Sequence, residues 1–199
     1  IGSQITDLDP YAQSVDFLVQ LANEMRDEGV TLEYIDVGGG LGISYQSNAP
    51  SIREWATVVA PKIWDAGYHL VMEPGRSIVG PAGVLLTRVV YTKEQGDKCF
   101  VIVDAGMTDL LRPTLYQAHH PIVPVLEPTT SELSRVDVVG PICETSDFLA
   151  RDRDLPRLVP GDLVAVLFAG AYGYAMSSNY NGHLRPAEVL VSESKFEVI

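Results

Sequence analysis

The chain has 199 residues, 46% of them hydrophobic and 20% charged, a composition that suits one large folded core or two small ones. Twenty-six acidic against 14 basic residues give a formal net charge of −12, which repels nucleic-acid phosphates, and no apolar run approaches the roughly 20 residues of a membrane helix. Two cysteines without CxxC spacing, Cys99 and Cys143, argue against a disulfide framework or a zinc site and point to a reducing, cytoplasmic compartment.

The segment Ile1-Gly2-Ser3-Gln4-Ile5 reads as a strand end followed by a small polar turn. Ile1 is not an initiator methionine, which suggests a chain cut from something longer. Asp9-Pro10 has the form of an N-cap with proline at the first helical position. Tyr11, Val15, Leu18, Ala22 and Met25 then draw one apolar stripe at alternating four- and three-residue steps, closed by Gly29. Residues 32–37 are short, apolar and rich in strand formers, as a buried strand of a parallel sheet would be. They run into Gly38-Gly39-Gly40-Leu41-Gly42, four glycines in five positions. Residues without Cβ let backbone N–H groups crowd round an anion such as phosphate, though such a run also makes a merely tight turn. Ser51 with Glu54 is a capping-box pattern starting a second helix, with Trp55, Val58, Val59 and Ile63 near one face and Gly67 at its end. A short strand over 69–72 ends in Glu73-Pro74-Gly75-Arg76.

Strand, helix, strand is the βα rhythm of a barrel or open parallel sheet, with chemistry gathered at the strand C-terminal ends. The rhythm changes near Gly83. Residues 84–91, 100–103, 122–126, 135–139, 163–168 and 189–191 are strand candidates with no long helix between them, and polar 92–98 reads as a hairpin turn. The fold class expected is therefore α/β plus β. Residues 1–83 would be the last βα units of a barrel and 84–199 a mainly antiparallel β domain. Two βα units cannot close a barrel, so the chain would be a C-terminal piece.

Several residues could carry chemistry. Arg76 offers a five-donor fork for phosphate or carboxylate, Gly75 a close backbone approach and Glu73 a negative charge, although a surface Glu–Arg pair round a proline turn is the plainer alternative. Arg112, with Tyr116 four residues on, suits a carboxylate, or else marks an exposed helix start. Cys143 stands beside Glu144 after a strand, and Tyr172 lies among small residues in Gly170-Ala171-Tyr172-Gly173. His119 and His120 read as surface or structural residues, because no third ligand is spaced to complete a metal site. The glycine loop lacks the Lys-Ser/Thr of a P-loop, and no Ser–His–Asp or Cys–His order is evident.

Taken in order, Ile-Gly-Ser-Gln, Gly-Gly-Gly-Leu-Gly, Glu-Pro-Gly-Arg, Arg-Pro-Thr-Leu-Tyr, Gly-Pro-Ile-Cys-Glu and Gly-Ala-Tyr-Gly resemble the bacterial diaminopimelate decarboxylases. These are pyridoxal-phosphate (PLP) enzymes of the alanine-racemase-like fold type, a (β/α)8 barrel followed by a β domain. The resemblance spans essentially the whole chain. It implies decarboxylation of meso-2,6-diaminopimelate to L-lysine. Ser3 and backbone at Gly40 and Gly75 would hold the PLP phosphate, and Tyr172 would close the phosphate and substrate side. Arg76 would serve phosphate or substrate carboxylate, and Glu73 would pair with the pyridine nitrogen. Arg112 and Tyr116 would clamp the distal carboxylate, Glu144 would take the distal ammonium and Cys143 would donate the proton. In this family the Cys-Glu segment reaches into the neighbouring subunit's site, which implies a homodimer. Two departures stand out. The family's Schiff-base lysine has no counterpart here, since Lys62, Lys93, Lys98 and Lys195 sit in none of the expected contexts, and the ring-stacking histidine expected just before Ile1 is absent. A decarboxylase of arginine or another basic amino acid is the rival enzyme reading; a non-catalytic homologue that binds protein partners is the rival of another class.

Overall fold

The first apolar stripe folds as helix α1, Asp9–Asp27, in a computed structural model that describes residues 1–128 and 132–199. Asp9 lies inside the first turn rather than capping it: Leu8 precedes the helix, and the Asp7 carboxylate accepts from the Asp9 N–H at 3.0 Å. Tyr11, Val15 and Ala22 are buried, whereas Met25 at the far end is exposed, so the buried stripe is shorter than its spacing suggests. Helix α2, Ile52–Asp65, starts with the capping box. Ser51 Oγ accepts from the Glu54 N–H at 3.2 Å, and Glu54 Oε2 accepts from the Ser51 N–H at 2.7 Å. The Ser51 N–H and the Ser51 hydroxyl, which also donates to Glu54 Oε2 at 2.7 Å, hold the Glu54 carboxyl below its ordinary pKa. Trp55, Val59 and Ile63 face the core, and Trp55 meets Tyr11 edge to face at 5.9 Å.

Strands β1, Tyr34–Asp36, and β2, His69–Val71, pair in parallel, with Ile35 opposite Leu70. A strand buried on both faces is expected from the sequence; instead Ile35 is buried while Tyr34 and Val71 are 60% and 38% exposed. The reason is that this sheet has two strands, with the two helices covering one side. Among the described residues this sheet has two parallel strands and closes no barrel. A short helix α3, Gly75–Val79, follows β2 and ends the first unit, Ile1–Val79.

The second unit, Gly80–Ile199, is built on a six-stranded sheet. Its strands are β3 (Leu85–Gln95), β4 (Lys98–Val103), β5 (Ile122–Pro124), β6 (Leu133–Val139), β7 (Phe148–Pro156) and β8 (Leu163–Val166), ordered β5-β8-β3-β4-β6-β7. β4 and β6 run parallel and the other ladders antiparallel, so the sheet is mixed rather than uniform. The β3–β4 hairpin turns at Gly96-Asp97, far tighter than the polar stretch 92–98, because the strand formers on either side extend the ladder to the Gln95–Lys98 pair. Strand β7 is absent from the sequence reading because Arg151-Asp152-Arg153-Asp154 occupies its middle. Its alternation is broken there by Asp152 at φ 49°, whose N–H donates to Asp137 Oδ1 at 2.7 Å. Burial acts against ionisation of Asp137, but that bond and Lys98 at 2.9 Å outweigh it and hold its pKa low. Valines and leucines from β3, β4, β6, β7 and β8, with Leu110 and Ile122, form the core of this unit. A five-residue helix α4, Arg112–Tyr116, sits between β4 and β5, and a separate hairpin of β9, Val189–Ser192, and β10, Lys195–Val198, ends the chain.

Candidate active site

In the first unit the glycine loop after β1 is where three stretches of backbone converge. A Cβ on Gly39 would lie 2.2 Å from the Glu73 carbonyl oxygen, and one on Gly40, at φ +89°, 2.4 Å from that of Gly2. The Glu73 N–H donates to Gly38 O at 2.8 Å, and the Ile5 N–H to Gly40 O at 2.9 Å. The glycines therefore let the Glu73 loop and the Ser3 segment close on the loop after β1. Gly39→Ala should displace the Glu73 loop and lower cofactor affinity in the full-length protein while the helices persist. Unchanged affinity measured by PLP titration would show that the close approach has no role in the site.

Arg76 joins these segments. Its Nη2 donates to Ser3 Oγ at 2.8 Å and its Nη1 to the Tyr45 hydroxyl at 3.1 Å, with the guanidinium 5.8 Å from the Tyr45 ring. Because Ser3 Oγ accepts from Arg76, its own proton can be donated to an anion. Gly75 spends its N–H on Glu73 O at 2.9 Å; what it adds is open space, with nothing within 4 Å of a Cβ built there. A hydroxyl, a fixed guanidinium and a clear approach at the ends of parallel strands fit the phosphate ester of a cofactor. Ser3, Gly40, Glu73, Gly75 and Arg76 are thus one constellation. Tyr45 belongs with them and was missed, since a lone tyrosine beyond a glycine loop carries no motif.

In the second unit Arg112 opens α4 and is only 7% exposed, so the alternative of an exposed helix start does not hold. Its Nη1 lies 2.8 Å from His120 Nε2, and its guanidinium 5.9 Å from the Tyr172 ring. Tyr172 itself takes φ 62° in the turn after β8. Tyr116, at the other end of α4, is 63% exposed, so the four-residue spacing puts the pair on one short helix but in different surroundings. His120 is fully buried, which makes it structural and not a surface residue. Its neighbour His119 has Nε2 2.7 Å from Arg153 Nη1.

Burial, and then the charge of Arg153, keeps the His119 imidazole below its ordinary pKa. Its neutral form is therefore the one the fold favours, and the stability it contributes is present above about pH 6.5 and lost as pH falls through the depressed value. Denaturant titrations at successive pH values should show wild type losing more stability on acidification than His119→Gln; parallel curves would contradict this.

Cys143 and Glu144 are both exposed on the loop between β6 and β7. Glu144 Oε2 accepts from the Tyr180 hydroxyl at 3.2 Å and Oε1 from Ser146 Oγ at 3.4 Å. The hydrogen bond to Glu144 and that residue's charge raise the Tyr180 pKa. Beneath the loop lies Asp147, 5% exposed. Its Oδ2 accepts from the Ile142 N–H at 2.6 Å and its Oδ1 from the Met107 N–H at 2.7 Å. Burial raises the Asp147 pKa against the pull of these two bonds. A Cβ on Gly106 or Gly140 would come within 2.6 or 2.5 Å of that carboxylate. Thr114 Oγ1 on α4 donates to Ser146 O at 2.6 Å, so the Arg112 helix and the Cys143 loop are tied together.

Among the described residues no group of three or more His, Cys, Asp or Glu could hold a metal, and no helix is long and apolar enough to cross a membrane. Lys62 pairs with Asp16, and Lys98 with Asp137. A family model described as the C-terminal sheet domain of pyridoxal-dependent decarboxylases matches residues 11–170. The chain belongs to this family. Similar members include the diaminopimelate decarboxylase of Aquifex aeolicus, 46% identical over all of this chain and 48% of its own length. The crystal structure of Helicobacter pylori diaminopimelate decarboxylase complexed with L-lysine superposes with a TM-score of 0.92 at 42% identity, covering 100% of this chain and 49% of that one. A lysine/ornithine decarboxylase of Vibrio vulnificus complexed with putrescine aligns less closely, with a TM-score of 0.83 at 25% identity over 93% of this chain and 51% of that one. The chain spans about half the length of the curated relatives it matches.

Proposed function

We propose that the chain is the C-terminal half of a PLP-dependent diaminopimelate decarboxylase, which releases CO2 from meso-2,6-diaminopimelate and leaves L-lysine. The observation that carries the substrate assignment is Arg112, a buried guanidinium held in place by an imidazole and an aromatic ring. Diaminopimelate has an amino-acid head at each end, so one carboxylate must be held away from the reacting carbon. A substrate such as ornithine has none there. Greater likeness to the diaminopimelate enzymes than to the lysine/ornithine enzyme supports the same choice.

When bound, PLP supplies the electron sink that accepts the bonding pair as CO2 departs. The chain's own residues divide the remaining work. Ser3 and Arg76 bind the phosphate ester, a reading supported by their mutual hydrogen bond. Gly40 and Gly75 provide the close backbone and the room. Glu73 holds a proton on the pyridine nitrogen. Arg112 takes the distal carboxylate between its guanidinium and the Tyr172 side, with Tyr116 at the exposed end of the same helix. Glu144, oriented by Tyr180 and Ser146, takes the distal ammonium. Cys143 holds a proton at Sγ and delivers it to the carbon that has lost CO2. The protein acts in the cytoplasm as a homodimer, with the Cys143–Glu144 segment serving the neighbouring subunit.

The deciding experiment is CO2 release by the full-length, PLP-loaded protein offered meso-diaminopimelate, L-arginine, L-ornithine and L-lysine separately. Release from diaminopimelate alone is expected. Equal or faster release from arginine or ornithine would replace the substrate, and none from any of the four would favour a non-catalytic homologue.

A further inference from the structure

We infer that His120 is a positioning residue that sets the carboxylate-binding guanidinium of Arg112, and with it the preference for ligands that keep a distal carboxylate. The inference rests on the decarboxylase reading. A guanidinium only donates hydrogen bonds, so at 2.8 Å from Arg112 Nη1 the Nε2 of His120 must accept. The ring proton then sits on Nδ1, 2.9 Å from the Leu167 carbonyl oxygen, which can only accept. Both nitrogens are committed, and the tautomer follows from the partners alone.

The imidazole is itself fixed. It is fully buried, and its backbone carbonyl accepts from Arg153 Nη1 at 3.2 Å. Leu167 is tied down in turn, its N–H donating to Pro121 O at 2.8 Å. Leu167 also begins the turn that carries Tyr172, whose ring lies 5.9 Å from the Arg112 guanidinium. One neutral ring therefore couples the helix bearing Arg112 to the turn bearing Tyr172. Neutrality matters: an imidazole that accepts from the guanidinium orients it without adding a negative charge of its own.

Asparagine and glutamine separate the two nitrogens. The side-chain amide of Gln can place an oxygen near the Nε2 position and keep the acceptor for Arg112. That of Asn reaches only the Nδ1 position and keeps the bond to Leu167 O alone. Calorimetric titration of the full-length, PLP-loaded protein would use L-lysine, which retains the distal carboxylate, and cadaverine, which does not. His120→Asn should weaken L-lysine about tenfold or more, the scale of one hydrogen bond to a charged group, and leave cadaverine within about twofold. His120→Gln should recover most of the L-lysine affinity. If both variants weaken L-lysine equally, or cadaverine falls in step, His120 merely fills space and the inference fails. A wild type with no preference for L-lysine over cadaverine would overturn the carboxylate clamp itself, and the inference with it. Should the variants not fold, histidine 15N spectra of the wild type remain decisive: the Nδ1–H tautomer is expected, and an Nε2–H tautomer or an imidazolium at pH 7.5 would refute the arrangement.

Discussion

Cys143→Ala in the full-length decarboxylase should lower kcat for diaminopimelate by about 10²- to 10⁴-fold, the range for loss of a positioned acid or base. PLP affinity should stay unchanged, because Ser3, Gly40, Gly75 and Arg76 are untouched. The thiol can play this part because its loop is held from beneath while its surface stays open: Cys143 is exposed, and Asp147 anchors the backbone of Ile142 next to it. A stable loop also means that truncating the thiol should barely move the melting temperature. The dimer expectation adds a sharper measurement. Subunits carrying Cys143→Ala, mixed with subunits inactivated at the Schiff-base lysine, should regain activity, since two-fold symmetry gives each heterodimer one site with both wild-type groups. Heterodimers shown to form but remaining inactive would mean that Cys143 serves its own subunit or is not the donor.

Arg112→Ala should cost about 10- to 100-fold in kcat/KM for diaminopimelate, the equivalent of roughly 1.5–3 kcal/mol for a hydrogen bond to a charged group. The loss should fall mainly on KM, and a substrate without a distal carboxylate should be far less affected. The variant also leaves His120 Nε2 buried without its guanidinium donor, which destabilises the fold by about 1–3 kcal/mol. Arg112→Lys separates these effects: it keeps a positive charge and loses the planar fork. Intermediate losses are expected for the lysine variant. Equal losses for substrates with and without the distal carboxylate would remove Arg112 from the clamp.

Helices and chemistry were legible in this sequence to different depths. The capping box at Ser51 and Glu54 and the stripe through Tyr11 and Val15 are local patterns, and the structure forms them where they are written. Strand β7 was not legible, because its outward positions carry Arg151 and Asp154 and its alternation is broken at Asp152. The parallel β4–β6 pair was not legible either, since pairing direction is decided by the route of the chain and not by composition. In the site, residues inside glycine-, proline- or cysteine-bearing motifs stood out, while their supports did not. His120 read as a surface or structural residue, and Asp147 and Tyr180 carried no motif to single them out. Each acts through a partner at least five residues away, as in Arg112–His120, Ile142–Asp147 and Glu144–Tyr180, and no single-sequence pattern encodes such a pair.

The carboxylate of Asp147 has a further consequence for the order of folding. The Met107 N–H finds its acceptor 40 residues later in the chain, whereas the capping box that starts α2 closes within three. The turn leading to Arg112 and the loop bearing Cys143 therefore share an anchor that arrives only with the long-range parallel ladder of β4 and β6, and such non-local contacts form slowly. A nascent chain can wind its helices as they emerge. The turn before Arg112 and the Cys143 loop lack their shared anchor until residue 147 has been added and the sheet has drawn its two sides together.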